Sequence, residues 1–87
     1  MRSVFATPQF RQDLAEVSKN IFYKAEAILS MLKLNPTDAS LKSKKLKVGT
    51  NLWRVRVGTH RLIYSFSKDS LILLRLRHRK DVYKGLK

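Results

Sequence analysis

The chain has 87 residues, 19 of them Lys or Arg and 6 Asp or Glu, which gives a net charge of +13. A single domain spanning 1–87 is what this length supports, too small for a cofactor-sized cavity or a two-lobed dinucleotide fold. With no Cys, disulfides, thiolate metal sites and cysteine nucleophiles are excluded, and no apolar run reaches the roughly 20 residues of a membrane span.

Ser3–Ala6 reads as a short strand. Thr7-Pro8 is a helix start, Thr as cap and Pro at the first helical position. Phe10, Leu14 and Val17 then recur at helical spacing, which predicts a helix over 8–18. A second helix is predicted from Asn20 to Lys33 on the apolar set Ile21, Ala25, Ile28, Leu29 and Leu32, and Asn35-Pro36 ends it. Two helices with a short connection suggest an antiparallel helical hairpin. From Leu52 the period changes to two. Strands are expected over Leu52–Val57, His60–Ser67 and Leu71–His78, with turns at Gly58-Thr59 and Ser67–Ser70. The expected fold is α+β: a helical hairpin on a small, mainly antiparallel four-stranded sheet, the N-terminal strand added at an edge.

Charge is unevenly spread. Residues 1–41 carry five basic and four acidic side chains, a balance of +1; residues 42–87 carry fourteen and two, a balance of +12. Such a half-chain seeks a polyanion, most often nucleic acid. Strict alternation would put Val55, Val57, Leu62, Tyr64, Leu74 and Leu76 toward the helices, along with Ile72. Arg54, Arg56, Arg61, Arg75 and Arg77 would then share the opposite face. Guanidiniums so crowded repel unless an anion joins them, so that face is a candidate anion site. Lys42, Lys44, Lys45 and Lys47, with Lys80, add a general attraction to RNA. No metal-ligand spacing, Gly-rich phosphate loop or Ser/His/Asp set is present, and no cofactor is expected.

The run Leu46-Lys47-Val48-Gly49, then Leu52–Tyr64 with its Arg54-Val55-Arg56-Val57-Gly58-Thr59-His60-Arg61 core, and finally Leu76-Arg77-His78-Arg79-Lys80-Asp81-Val82-Tyr83 resembles the RelE/ParE superfamily of type II toxins. The resemblance spans nearly the whole chain. It implies a RelE-like fold and a ribosome-dependent, metal-independent endoribonuclease that cleaves mRNA, works in the cytoplasm and is held inactive by a cognate antitoxin. It also implies operator DNA binding as the toxin–antitoxin complex. By the same resemblance, Arg54 and Arg56 match the paired basic positions of the first meander strand, where the RelE prototype has Lys. Arg61 matches the second-strand arginine, Tyr83 the C-terminal tyrosine, and His78 a histidine that some branches use as acid or base. The C-terminal arginine is Arg77 or Arg79, with Arg79 preferred. Two other readings stay open: a ParE-like inhibitor of DNA gyrase, and an attenuated toxin that mainly binds its antitoxin and operator.

RNA cleavage by internal transesterification needs a proton taken from the 2′-OH, charge neutralised on the phosphate, and a proton given to the 5′-oxygen. Arginines suit the second task, being charged at every relevant pH and able to grip phosphate at two points. They are poor bases, which leaves His78, His60 or ribosome-imposed geometry for the first.

Overall fold

A computed structural model describes residues 2–47 and 51–81. The element order is β1 (Ser3–Ala6), α1 (Pro8–Glu16), α2 (Lys19–Leu34), a single 3₁₀ turn (Ala39–Leu41), β2 (Lys44–Lys45), β3 (Trp53–Val57), β4 (His60–Phe66) and β5 (Ser70–His78). The sheet has five strands in the order β1-β5-β4-β3-β2. It exceeds the expected four by β2, a two-residue edge strand whose Lys pair carries no alternation signal. β3, β4 and β5 form the antiparallel meander, and β1 joins β5 in parallel.

Both helices begin where a side chain satisfies their first amides. Thr7 Oγ1 accepts from the Phe10 amide at 3.1 Å, and Ser18 Oγ accepts from Ile21 at 3.3 Å. Ser18 explains why α1 stops at Glu16, short of the expected 18: the extended Val17-Ser18 pair is needed to cap the next helix. α1 lies against β5 and α2 against β3. Between them and the sheet sits one core of Phe10, Ile21, Ala25, Leu32, Val55, Val57, Leu62, Tyr64, Leu71, Leu73 and Leu76. The Tyr64 hydroxyl crosses this core to donate to the Pro36 carbonyl at 2.6 Å, tying the end of α2 to the sheet. Burial pushes its phenol above the ordinary value, so it stays a neutral donor.

The expected alternation along β5 fails at one place. Ile63 pairs with Arg75 and Tyr64 pairs with Leu73, leaving Leu74 as the extra residue of a β-bulge. Before the bulge Leu71 and Leu73 enter the core, in place of the expected Ile72 and Leu74; after it Leu76 does. The continuous run Leu71-Ile72-Leu73-Leu74 has no parity of its own, so packing chose. α1 holds the bulge. β1 ends at Ala6, opposite Leu73, and from there α1 lines the edge of β5. The Thr7 amide donates to the Leu73 carbonyl at 3.0 Å, Thr7 Oγ1 donates to the Leu74 carbonyl at 2.9 Å, and Asp13 Oδ2 accepts from the Leu76 amide at 2.9 Å.

Gly58 makes the β3–β4 turn at φ +60°, and a Cβ there would stand 2.9 Å from Ile21 Cδ1. Gly58→Ala is therefore expected to destabilise the fold by about 1–2 kcal/mol, through the left-handed backbone alone before any crowding of Ile21 is added. Chemical denaturation checks this, and a neutral result would mean that the turn relaxes freely.

Candidate functional site: a cationic sheet face

Cross-strand pairing builds the site. Arg56 lies opposite Arg61, which lies opposite Arg77, so three guanidinium-bearing residues form one row across β3, β4 and β5. The next row is Arg54–Ile63–Arg75, with Lys44 of β2 opposite Arg54. These rows alternate with Val55–Leu62–Leu76, which faces the helices, so they occupy the other face of the sheet. Ile63, between Arg54 and Arg75 in its row, is fully buried yet lies outside the helix-side core cluster. Like charges directly opposite across strands oppose folding: at about 4 Å a pair costs about 1 kcal/mol in water and about 4 kcal/mol near a protein surface.

Local bonds orient some of these groups. Arg61 Nη1 donates to the His60 carbonyl at 2.9 Å and the Gly58 carbonyl at 3.3 Å, turning its head toward the β3–β4 turn. Among the described residues, Leu41, Lys42, Lys44, Arg54 and Arg56 line a concavity of about 250 Å³, four cations around one leucine. Lys42 is brought there by the 3₁₀ turn, which Asp38 caps through the Ser40 amide at 2.9 Å and which ends with Lys42 at φ +54°. Hydrogen bonds from the Ser40 side chain, then its amide, hold the Asp38 carboxyl below the usual range.

Several of the sequence-predicted site residues do not join the rows as expected. Arg75 has the expected register, but its guanidinium is taken by Asp13: Nε to Oδ2 at 2.9 Å and Nη2 to Oδ1 at 3.2 Å. Lys45 pairs with Trp53 and so alternates away from the arginine face. Arg79 and Lys80 lie past the end of β5 in an exposed turn, where the Arg79 amide donates to the Thr59 carbonyl and the Lys80 amide to His78 Nδ1. It is Arg77, not the preferred Arg79, that stands in the arginine row. His78 alternates to the other face, although it lines one concavity with Arg77 at the end of β5. It pairs with His60 and so shares a row with Val57, on the helix side. Lys47 is exposed just beyond β2, and Tyr83 lies outside the described residues.

His60 and His78 make their own neighbourhood. Their rings meet edge to face with centroids 5.7 Å apart, beside a concavity of about 210 Å³ that Asp13, Glu16, Arg77 and Asp81 also line. Among the described residues no His, Asp and Glu group is arranged to hold a metal ion. Burial, then the neighbouring His78 ring, push His60 below its ordinary value of 6.5. The unfolded chain therefore binds a proton on this side chain more readily than the folded one does. Stability should fall as pH drops below about 6.5, and keep falling until His60 protonates in the folded state too. Thermal melts from pH 7.5 to 5 should show this decline, and His60→Gln should flatten it; an unchanged slope would remove His60 from the cause.

Two positions went unread in the sequence as parts of this region: Asp13 and the second role of Thr7. A lone carboxylate on the polar side of a helix carries no signal that it will satisfy a strand edge 63 residues away.

The fold and the sequence have relatives. The chain is 32% identical over 85 residues to Toxin RelE3 of Methanocaldococcus jannaschii, covering 95% of this chain and 96% of that one. Its fold is similar to a RelB–RelE antitoxin–toxin complex from Methanococcus jannaschii (TM-score 0.79, 26% identity, 95% and 99% of the two chains). It is similar as well to the Escherichia coli DinJ–YafQ toxin–antitoxin complex (TM-score 0.80, 18% identity, 94% and 97%), which speaks to fold alone. The model of the ParE toxin of type II toxin–antitoxin systems matches residues 4–83. A cationic face on a two-helix, five-stranded α+β domain thus agrees with what the sequence match gives over nearly its full length: this chain belongs to the ParE toxin family of type II toxin–antitoxin systems.

Proposed function

We propose that this toxin is a ribosome-dependent mRNA endoribonuclease of the RelE kind, acting in the cytoplasm and restrained by a cognate antitoxin. The observation that carries the reading is the Arg56–Arg61–Arg77 row, three permanent cations held in register across three strands. A structural relative solved as an antitoxin–toxin complex supports the partner; with its antitoxin bound the pair would contact operator DNA.

In this reading the scissile phosphate of an mRNA lies across the row. The 2′-oxygen attacks phosphorus, the 5′-oxygen leaves, and a 2′,3′-cyclic phosphate forms; the proton lost from the 2′-OH is balanced by one delivered to the 5′-oxygen. Arg56, Arg61 and Arg77 stabilise the extra negative charge that builds on the phosphoryl oxygens. Lys42, Lys44 and Arg54 hold the flanking backbone in the adjoining concavity. His78 lines one concavity with Arg77. Proton transfer falls to His78, to Tyr83 or to groups that the ribosome brings, since arginine does not give up its proton.

Primer extension on ribosomes programmed with a defined mRNA tests this, run beside a gyrase supercoiling assay. Cleavage within the A-site codon is the expected result. Intact mRNA with blocked supercoiling would transfer the chain to the gyrase-poisoning branch.

A further inference from the structure

The arginine face does not stop at β5. Ile63 and Ser65 lie on the same side of β4 as Arg61, Ser65 pairs with Ile72 of β5, and Ile72 pairs in turn with Phe5 of β1. Register therefore continues the outer face into a Ser65–Ile72–Phe5 row, two residues along β4 from the Arg54–Ile63–Arg75 row. The alternation within β1 agrees. Ala6 packs against the core and Val4 lines a concavity with Leu29 and Lys33 of α2, while Phe5 between them is 57% exposed. The helix-side core makes no use of this ring.

A single exposed apolar side chain is ordinary by itself. Its setting is what points to a ligand. None of the five strands contains an Asp or Glu, and the rows that share the face with Phe5 carry Arg54, Arg56, Arg61 and Arg77. A second copy of this chain would bring one cationic face against another, on bodies that each carry +13. Single-stranded RNA suits both features of the face: its phosphates meet the guanidiniums, and every base has a π-face that can stack on an aromatic ring. We infer that Phe5 is a stacking platform for a base of the mRNA flanking the cleaved phosphate, on a path that runs from the arginine rows across β5 to β1. This rests on the proposed endoribonuclease reading and adds to it a direction for the bound strand and a contact that charge does not supply.

The test measures the affinity of wild-type toxin and Phe5 variants for ribosomes programmed with an mRNA whose A-site codon carries 2′-O-methyl groups, which block attack. Phe5 is exposed, so its variants should fold. Phe5→Ala should weaken binding about tenfold, as loss of one stacked base does, and Phe5→Trp should bind at least as tightly as wild type. The slope of affinity against salt should be unchanged in Phe5→Ala, because no phosphate contact is lost, whereas Arg77→Ala should make it shallower. An abasic nucleotide at one position flanking the codon should cost wild-type toxin the same factor and cost Phe5→Ala nothing further. Wild-type affinity in Phe5→Ala would overturn the platform, while cleavage of unmodified mRNA by wild-type toxin would leave the endoribonuclease reading standing. Losses from Phe5→Ala that add to those from every abasic position would overturn it too, in favour of a base or protein group of the ribosome. Unchanged ribosome affinity with weakened antitoxin binding would hand the ring to the antitoxin. Wild-type toxin that neither binds nor cleaves would remove both.

Discussion

Arg77→Ala is expected to lower single-turnover mRNA cleavage by about 10²–10³, the usual cost of removing one positioned donor from a developing oxyanion. Its melting temperature should hold or rise, because the opposing pair with Arg61 loses a like-charge contact. Arg79→Ala, in the exposed turn, should stay within a few-fold of wild type and alter mainly the salt dependence. The contrast matters because the family resemblance favoured Arg79, on its His78-Arg79 dipeptide, and cross-strand register favours Arg77. Arg77→Lys should recover part of the loss, since it keeps the charge without the planar two-point grip. If Arg79→Ala were the damaging change and Arg77→Ala the mild one, the row would not be the phosphate site.

The largest stability effect should come from Asp13. Its carboxylate accepts from the Leu76 amide and from two nitrogens of Arg75, with its side chain only 10% exposed. Asp13→Ala leaves an edge amide of β5 without its acceptor and a guanidinium without its counter-charge. About 2–3 kcal/mol should be lost, hydrogen bonds to a charged group being worth about 1.5–3 kcal/mol. For a domain of this size that lowers the melting temperature by roughly 10–20 °C. Asp13→Asn should fall between, because an amide oxygen still serves Leu76 while the charge for Arg75 is gone. An unchanged melting temperature in Asp13→Ala would mean that the bulge holds without α1. Thr7→Val probes the other end of the same edge, where one hydroxyl both caps α1 and reaches Leu74.

The amino-acid sequence by itself determined the element types, the helix starts and the presence of a cationic face. Those features are local or periodic: Thr7-Pro8 starts a helix wherever it lies, and Arg54 and Arg56 alternate with Val55 and Val57 within one short strand. Arg61 followed from the same alternation across a tight turn. Only the tertiary structure decided the rest, at three places. Leu71–Leu74 is apolar at every position, so which leucines enter the core depended on where α1 closes the edge of β5, and Leu74 became the bulge. Arg75 has the period of a face residue but lies within reach of Asp13, whose position no spacing encodes. His78 stands one residue beyond Arg77 and alternates to the other face, paired with His60 under α1, yet the two line one concavity where α1 meets the end of β5. Period-two reading assigns faces strand by strand, whereas a site needs register between strands. Register is set by turns, bulges and the helices packed against them, through contacts between residues far apart in the chain.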